Sequence, residues 1–180
     1  LYDWLAEKLA ARLSVDIAGL PQPPTLNDVM CGYLAQSGRR EEAYTRLRSI
    51  MREVQVEPSQ ALRQLARITD FNLYVTTTFD PLLETAINLE RFGGQPSTEV
   101  IAYAPNRVAD LPGERSQLQR PVVYHLLGRL SASPTYVLSD EDMLEFICAL
   151  QSEHLTPEKL FFELEHNHLL LIGSDFSNWL

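Results

Sequence analysis

A chain of 180 residues with 45% hydrophobic and 22% charged residues is long enough for one domain with a buried core, and its balance excludes disordered and fibrous classes. A net charge of −9 and a pI of about 4.9, with no basic stripe, argue against direct nucleic-acid binding. The longest apolar runs are too short to span a bilayer and no signal peptide opens the chain, so a cytoplasmic protein without a membrane anchor is expected.

The first part reads as helices. Tyr2 to Leu13 places Trp4, Leu5, Leu9 and Leu13 on one side at helical spacing, with Glu7, Lys8 and Arg12 outside it. Gly19-Leu20-Pro21-Gln22-Pro23-Pro24 is too proline-rich to be helical. Thr25 or Asn27 is placed to cap a helix reaching about Gln36, which Ser37-Gly38 ends. A third helix is expected from Arg40 to Val54. Its Arg40, Arg46, Arg48 and Arg52 alternate with Glu41, Glu42 and Glu53, the pattern of a solvated face. A short fourth helix follows Pro58-Ser59 and carries Leu62, Leu65 and Ile68.

From Phe71 the pattern changes to strands alternating with helices. Strands are expected at Asn72–Thr77, Glu99–Tyr103 and Pro121–Leu126, with a short one at Tyr136–Leu138. Pro81 to Leu89 is a helix opened by Asp80, and Ser139 caps another from Asp140 to Gln151. Asn106 to Gln119 reads as an exposed loop. Thr156-Pro157-Glu158 starts a helix to about Glu165, with Glu153, Glu163 and Glu165 on helix surface. His168 to Ile172 is almost wholly apolar and is expected to be a final strand buried on both faces. This alternation predicts an α/β, Rossmann-like parallel sheet covered by helices on both faces, with an N-terminal helical segment over 1–70 and the sheet over 71–180.

In open α/β sheets ligands sit beyond the carboxyl ends of the strands. Three segments fall at such ends: Tyr74-Val75-Thr76-Thr77-Thr78-Phe79-Asp80, Tyr124-His125-Leu126-Leu127-Gly128, and Leu169-Leu170-Leu171-Ile172-Gly173-Ser174. Taken singly, the first is also explained as a strand end followed by an Asp N-cap. Cys31 and Cys148 lack CxxC spacing and are expected to be isolated, buried thiols in a reducing compartment. His166-Asn167-His168 lacks a third ligand at metal spacing, so no metal is expected. No Walker A, GxSxG or GxGxxG segment occurs in the sequence.

Together the three strand-end motifs resemble a sirtuin-type NAD domain of the divergent bacterial sirtuin-like branch, over roughly Phe71 to Leu180. That family's first motif is T-T-N-x-D and its second ends in His-Gly. Here Thr78 stands at the Asn position and Leu127 at the His position. Leu1-Tyr2-Asp3-Trp4-Leu5 resembles the helix after the family's Gly-rich first loop. That loop and its strand are absent from this chain, which is expected to be a fragment of a longer protein forming a single sirtuin-like domain.

The resemblance implies NAD or a derivative as ligand, held by Thr76, Thr77, Thr78, Asp80, Gly128, Gly173 and Ser174. It also implies that the catalytic pair is missing. In the family an imidazole takes a proton from a ribose hydroxyl, and the Asn carboxamide orients the ribose and a water. Loss of a general base typically costs about a hundredfold to ten-thousandfold in rate. His125 is the one nearby substitute. On an extended strand it shares the face of Leu127 but lies about 6–7 Å further from the strand end. By resemblance, such domains occur in bacterial anti-phage defence proteins, where they either degrade NAD or serve as nucleotide-sensing and assembly modules beside an NAD-depleting effector, often a TIR domain. A homo-oligomer bound to a nucleotide and joined to such an effector is therefore expected. The alternative is an active NAD hydrolase that uses His125, or a residue outside the fragment, as base.

Overall fold

The computed structural model describes residues 1–173. The first helices form where the apolar spacing placed them: α1 at Tyr2–Leu13, α2 at Leu26–Ala35, α3 at Arg40–Glu53 and α4 at Gln60–Ala66. α2 opens on Thr25, whose hydroxyl accepts from the Asp28 amide while the Asp28 carboxylate accepts from the Thr25 amide. This reciprocal cap satisfies two donors that a helix start otherwise leaves unpaired. Ser59 caps α4 by accepting from Leu62.

α1, α2 and α3 bury Leu5, Leu9, Met30, Tyr44 and Leu47 against one another. The same cluster takes in Phe79, Tyr136 and Leu138. The helical segment and the sheet-bearing segment therefore share one core.

The sheet has three parallel strands, β1 at Leu73–Thr76, β2 at Glu99–Ala102 and β3 at Val122–His125, in the order β1-β3-β2. Thr76 and Ala102 both stand level with His125, so the carboxyl ends are flush. β3 is buried at every residue, as a central strand covered on both sides must be.

The strand period of two sorts the faces. Val122 and Tyr124, with Leu73, Val75 and Ile101, face α6 (Asp140–Leu150) and α7 (Glu158–His166) through Phe146, Ala149 and Leu160. Tyr74 and Val123 face α5 (Leu82–Phe92) and α4 through Ala86, Ile87 and Ala66. The α/β Rossmann-like class with helices on both faces is what the structure shows.

Several expectations are corrected. Tyr136–Leu138 is not a strand; Tyr136 makes one isolated antiparallel bridge to Gly128. His168–Ile172 forms no strand, and Leu169, Leu170, Leu171 and Ile172 are 54–65% exposed. An apolar run becomes a buried strand only when a neighbouring edge accepts its backbone, and these residues pair with neither outer strand. Ile68 falls beyond α4 and is exposed.

The 106–119 loop is not wholly exposed. Leu111 is buried among Tyr103, Tyr124 and Phe146, and the adjacent Asp110 accepts from the Lys159 and Leu160 amides, capping α7 from a distance. Glu163 is buried rather than on helix surface, accepting from the Arg115 amide at 2.8 Å and from Asn167. Cys31 and Cys148 are both exposed, because each falls on the outward side of its helix.

Arg40 leaves the solvated face assigned to its helix. It reaches the buried Asp142 carboxylate, which also accepts from Tyr44 Oη at 2.7 Å and from the Leu138 and Ser139 amides. Asp142 thereby ties α3 to the start of α6. Among the described residues no helix is long and apolar enough to cross a membrane.

Candidate functional site

Helices leave β1 and β3 toward opposite faces of the sheet, α5 on one and α6 with α7 on the other. Loops at two such adjacent strand ends diverge and leave a crevice, the usual ligand position in this architecture. The loop after β1 is shaped by its threonines. Thr76 Oγ1 accepts from the Thr78 amide at 3.1 Å and lies 2.9 Å from Thr78 Oγ1, a side-chain turn that bends the chain directly at the strand end. Thr77, between them, is exposed.

Phe79 then turns into the helical core and packs edge-on against Tyr2, with ring centroids 5.3 Å apart. Asp80 follows, buried, with one oxygen accepting from the Leu82 amide at 3.1 Å and the other from Tyr2 Oη at 2.7 Å. Burial, and then the adjacent Asp80 charge, push the Tyr2 phenol well above its ordinary range. Tyr2 therefore stays a donor and locks α1 onto the strand-end loop.

At the end of β3, His125 is fully buried. Its Nδ1 lies 2.9 Å from the Thr78 carbonyl oxygen, and its Nε2 lies 3.3 Å from Glu84 Oε2 on α5. The contact to Glu84 is close but not aligned as an ordinary hydrogen bond, and neither atom has another partner. Glu84 Oε1 accepts from Arg129 Nε at 2.9 Å. Burial acts to raise the Glu84 pKa, yet His125 and Arg129 hold it below its ordinary value.

Leu127 is buried, and its carbonyl accepts from the Val137 amide. Gly128 has φ +81°, and a Cβ there would meet the Thr135 carbonyl oxygen at 2.2 Å and Tyr136 Cα at 2.5 Å. Only glycine permits that approach. Its presence at this strand end is accounted for by backbone packing alone.

The crevice encloses about 190 Å³. Thr77, Thr78 and Phe79 line one side, Leu127 with Val137 and Leu138 the floor, Ser139, Asp140 and Met143 the start of α6, and Tyr2, Leu26 and Asn27 the helical side. Asn27 and Asp140 are spent on each other, exchanging two hydrogen bonds at 2.9 and 3.1 Å. A larger depression of about 400 Å³ lies over α4, between Pro58 and Arg67. No strand-end residue borders it, so the strand-end crevice is the better candidate on chemistry.

Of the residues singled out from sequence, Thr77, Thr78 and Leu127 line the crevice. Thr76 and Asp80 stand behind them as scaffolding, and His125 and Gly128 lie beneath, turned to other partners. Gly173 is exposed and borders neither cavity; Ser174 lies outside the described residues. Among the described residues no group of three or more His, Cys, Asp or Glu could hold a metal ion.

Sequence reasoning passed over Glu84 and Arg129. Glu84 lies in the first turn of α5, four positions after the motif's Asp80, and Arg129 directly follows the Gly128 turn. That spacing was a readable signal. The pairing itself was not.

A family model described as SIR2-like domain matches residues 72–180. No curated protein and no solved structure matches the chain.

Proposed function

Because the chain belongs to the SIR2-like domain family, we propose that it is a catalytically degenerate member that binds NAD or a derivative at the β1–β3 crevice without turning it over efficiently. One observation carries this reading. The crevice presents the Thr78 loop and the apolar Leu127 wall, while the one imidazole at these strand ends, His125, is buried and faces Thr78 and Glu84. Cleavage of a nicotinamide–ribose bond needs a base and a group that orients the sugar. A leucine has no acid–base function, and a threonine hydroxyl lacks the paired donor and acceptor of a carboxamide.

The residues present fit part of such a ligand. Pockets for whole small molecules usually measure about 300–1,000 Å³, so the 190 Å³ enclosed here suits one ring-and-sugar portion of a dinucleotide. Apolar walls from Leu127, Val137 and Met143 would take the ring, and the Thr77 and Thr78 hydroxyls its polar edge.

We place this domain in a cytoplasmic bacterial anti-phage protein, as the sensing and assembly part beside an NAD-depleting effector such as a TIR domain. The support is the likeness of its strand-end motifs to that branch. Assembly as a homo-oligomer is supported by the apolar run Leu169–Ile172, four consecutive large apolar side chains exposed in the single chain, a feature of interaction surfaces. The competing reading, an active hydrolase with His125 as base, is opposed by the burial of that ring, which faces Thr78 and Glu84 and does not line the crevice.

Calorimetry with NAD, run beside a nicotinamide-release assay, tests the proposal. Binding without release is the expected result. Failure to bind removes the sensing role, and release that His125→Ala abolishes establishes the hydrolase instead.

A further inference from the structure

We propose that His125 and Glu84 are a buried positioning pair that holds one proton between them and thereby fixes the Thr76–Asp80 loop as a wall of the strand-end crevice. The proposal rests on the nucleotide reading above only for what that wall contacts.

The geometry carries it. A carbonyl oxygen only accepts, so the 2.9 Å contact from His125 Nδ1 to Thr78 O requires the hydrogen on Nδ1. Nε2 then faces Glu84 Oε2 at 3.3 Å. With no hydrogen on either atom, two lone pairs would oppose each other where His125 is 0% and Glu84 4% exposed. A buried polar atom left without a partner is costly, and both of these atoms have no other. A proton on Nε2 replaces that opposition with an imidazolium–carboxylate ion pair at 3.3 Å, which a small rotation of either side chain would align as a hydrogen bond.

The remaining Glu84 oxygen accepts from Arg129, whose side chain is 41% exposed. The network therefore runs from the Thr78 carbonyl through the sheet end to a solvent-facing cation. It joins the β1 loop, α5 and the segment after β3, and the first and last of these line the crevice. Asp80 fixes the far end of the same loop through Leu82 and Tyr2, so the loop is held on either side of Phe79 with Thr77 and Thr78 lining the crevice.

The first measurement is the imidazole nitrogen–proton NMR spectrum of the ligand-free protein. Slowly exchanging protons on both ring nitrogens of His125 are expected, with Glu84→Gln removing the one on Nε2 and sparing the one on Nδ1. His125→Gln is expected to shift the Thr77, Thr78 and Phe79 amides while leaving Leu160 on α7 in place. It should also weaken NAD binding about tenfold or more, the loss of a charge-assisted hydrogen bond.

A bare, solvent-exchanging Nε2 in the native protein, or unmoved loop amides in folded His125→Gln, would overturn the pair. If His125→Gln does not fold, the loop amides of Glu84→Gln give the same decision. Should NAD fail to bind the native protein, the ligand reading falls, while the ligand-free spectrum still decides the pair.

Discussion

At the scale of single residues, Leu127 with Thr78, Gly128 and Tyr2 are each open to test. Restoring the family's pair with Leu127→His and Thr78→Asn is expected to raise nicotinamide release above that of the native domain. Continued silence would show that the crevice has diverged beyond those two positions. Gly128→Ala sets a Cβ 2.2 Å from a carbonyl oxygen at a positive φ, and neither backbone segment can retreat without opening the core. A loss of about 3 kcal/mol or more in unfolding free energy is expected from urea denaturation. Tyr2→Phe leaves one buried Asp80 oxygen unsatisfied and should cost about 1–3 kcal/mol.

Part of this is readable from sequence. Thr78 and Leu127 stand out against a motif, and they do meet in one crevice. The part played by Tyr2 was not readable, because its partner is 78 positions away and nothing local ties the two.

At the scale of elements, helix starts were the most legible feature, since capping is a local bargain between a side chain and the next few amides. Thr25 and Ser139 cap where their sequences place them. Asp110 is the exception, reaching α7 across the chain. Asp110→Ala should cost about 0.5–2 kcal/mol, with hydrogen exchange rising in the first turn of α7.

The α5–β3 connection adds a pH signature. The Glu84 carboxyl titrates below its ordinary 4.5 in the native protein. Below that value the unfolded chain binds the proton first, so the stabilisation from Glu84 is complete above about pH 4.5 and is lost as the pH falls through its native pKa. Glu84→Gln should remove that portion of acid destabilisation, read as a flatter urea stability profile below pH 4.5 than the native protein gives.

At the scale of the whole molecule, Asp142 joins the two halves. Its carboxylate accepts from Arg40 and Tyr44 on α3 and from the Ser139 amide at the start of its own helix. Asp142→Ala strips a buried acceptor from several donors. The cost should fall near the lower end of about 3–5 kcal/mol, because Arg40 is a third exposed and can turn to water. The exposed Leu169–Ile172 run makes a prediction at the same scale. Leu170→Asp should lower concentration-dependent association in sedimentation, and unchanged association would remove that run as the support for a homo-oligomer.

The sequence by itself determined most of the helices and the three paired strands, the Thr25 and Ser139 caps and the parallel α/β class. These follow from spacing, turn chemistry and composition, which act over a few residues. Only the tertiary structure decided which buried polar groups meet: His125 with Glu84, Arg40 with Asp142, Arg115 with Glu163. It also decided that the apolar run at Leu169–Ile172 stays exposed. The physical reason is the same in each case. A polar group or an apolar run states what kind of partner it needs, and the position of that partner is set by how distant elements pack.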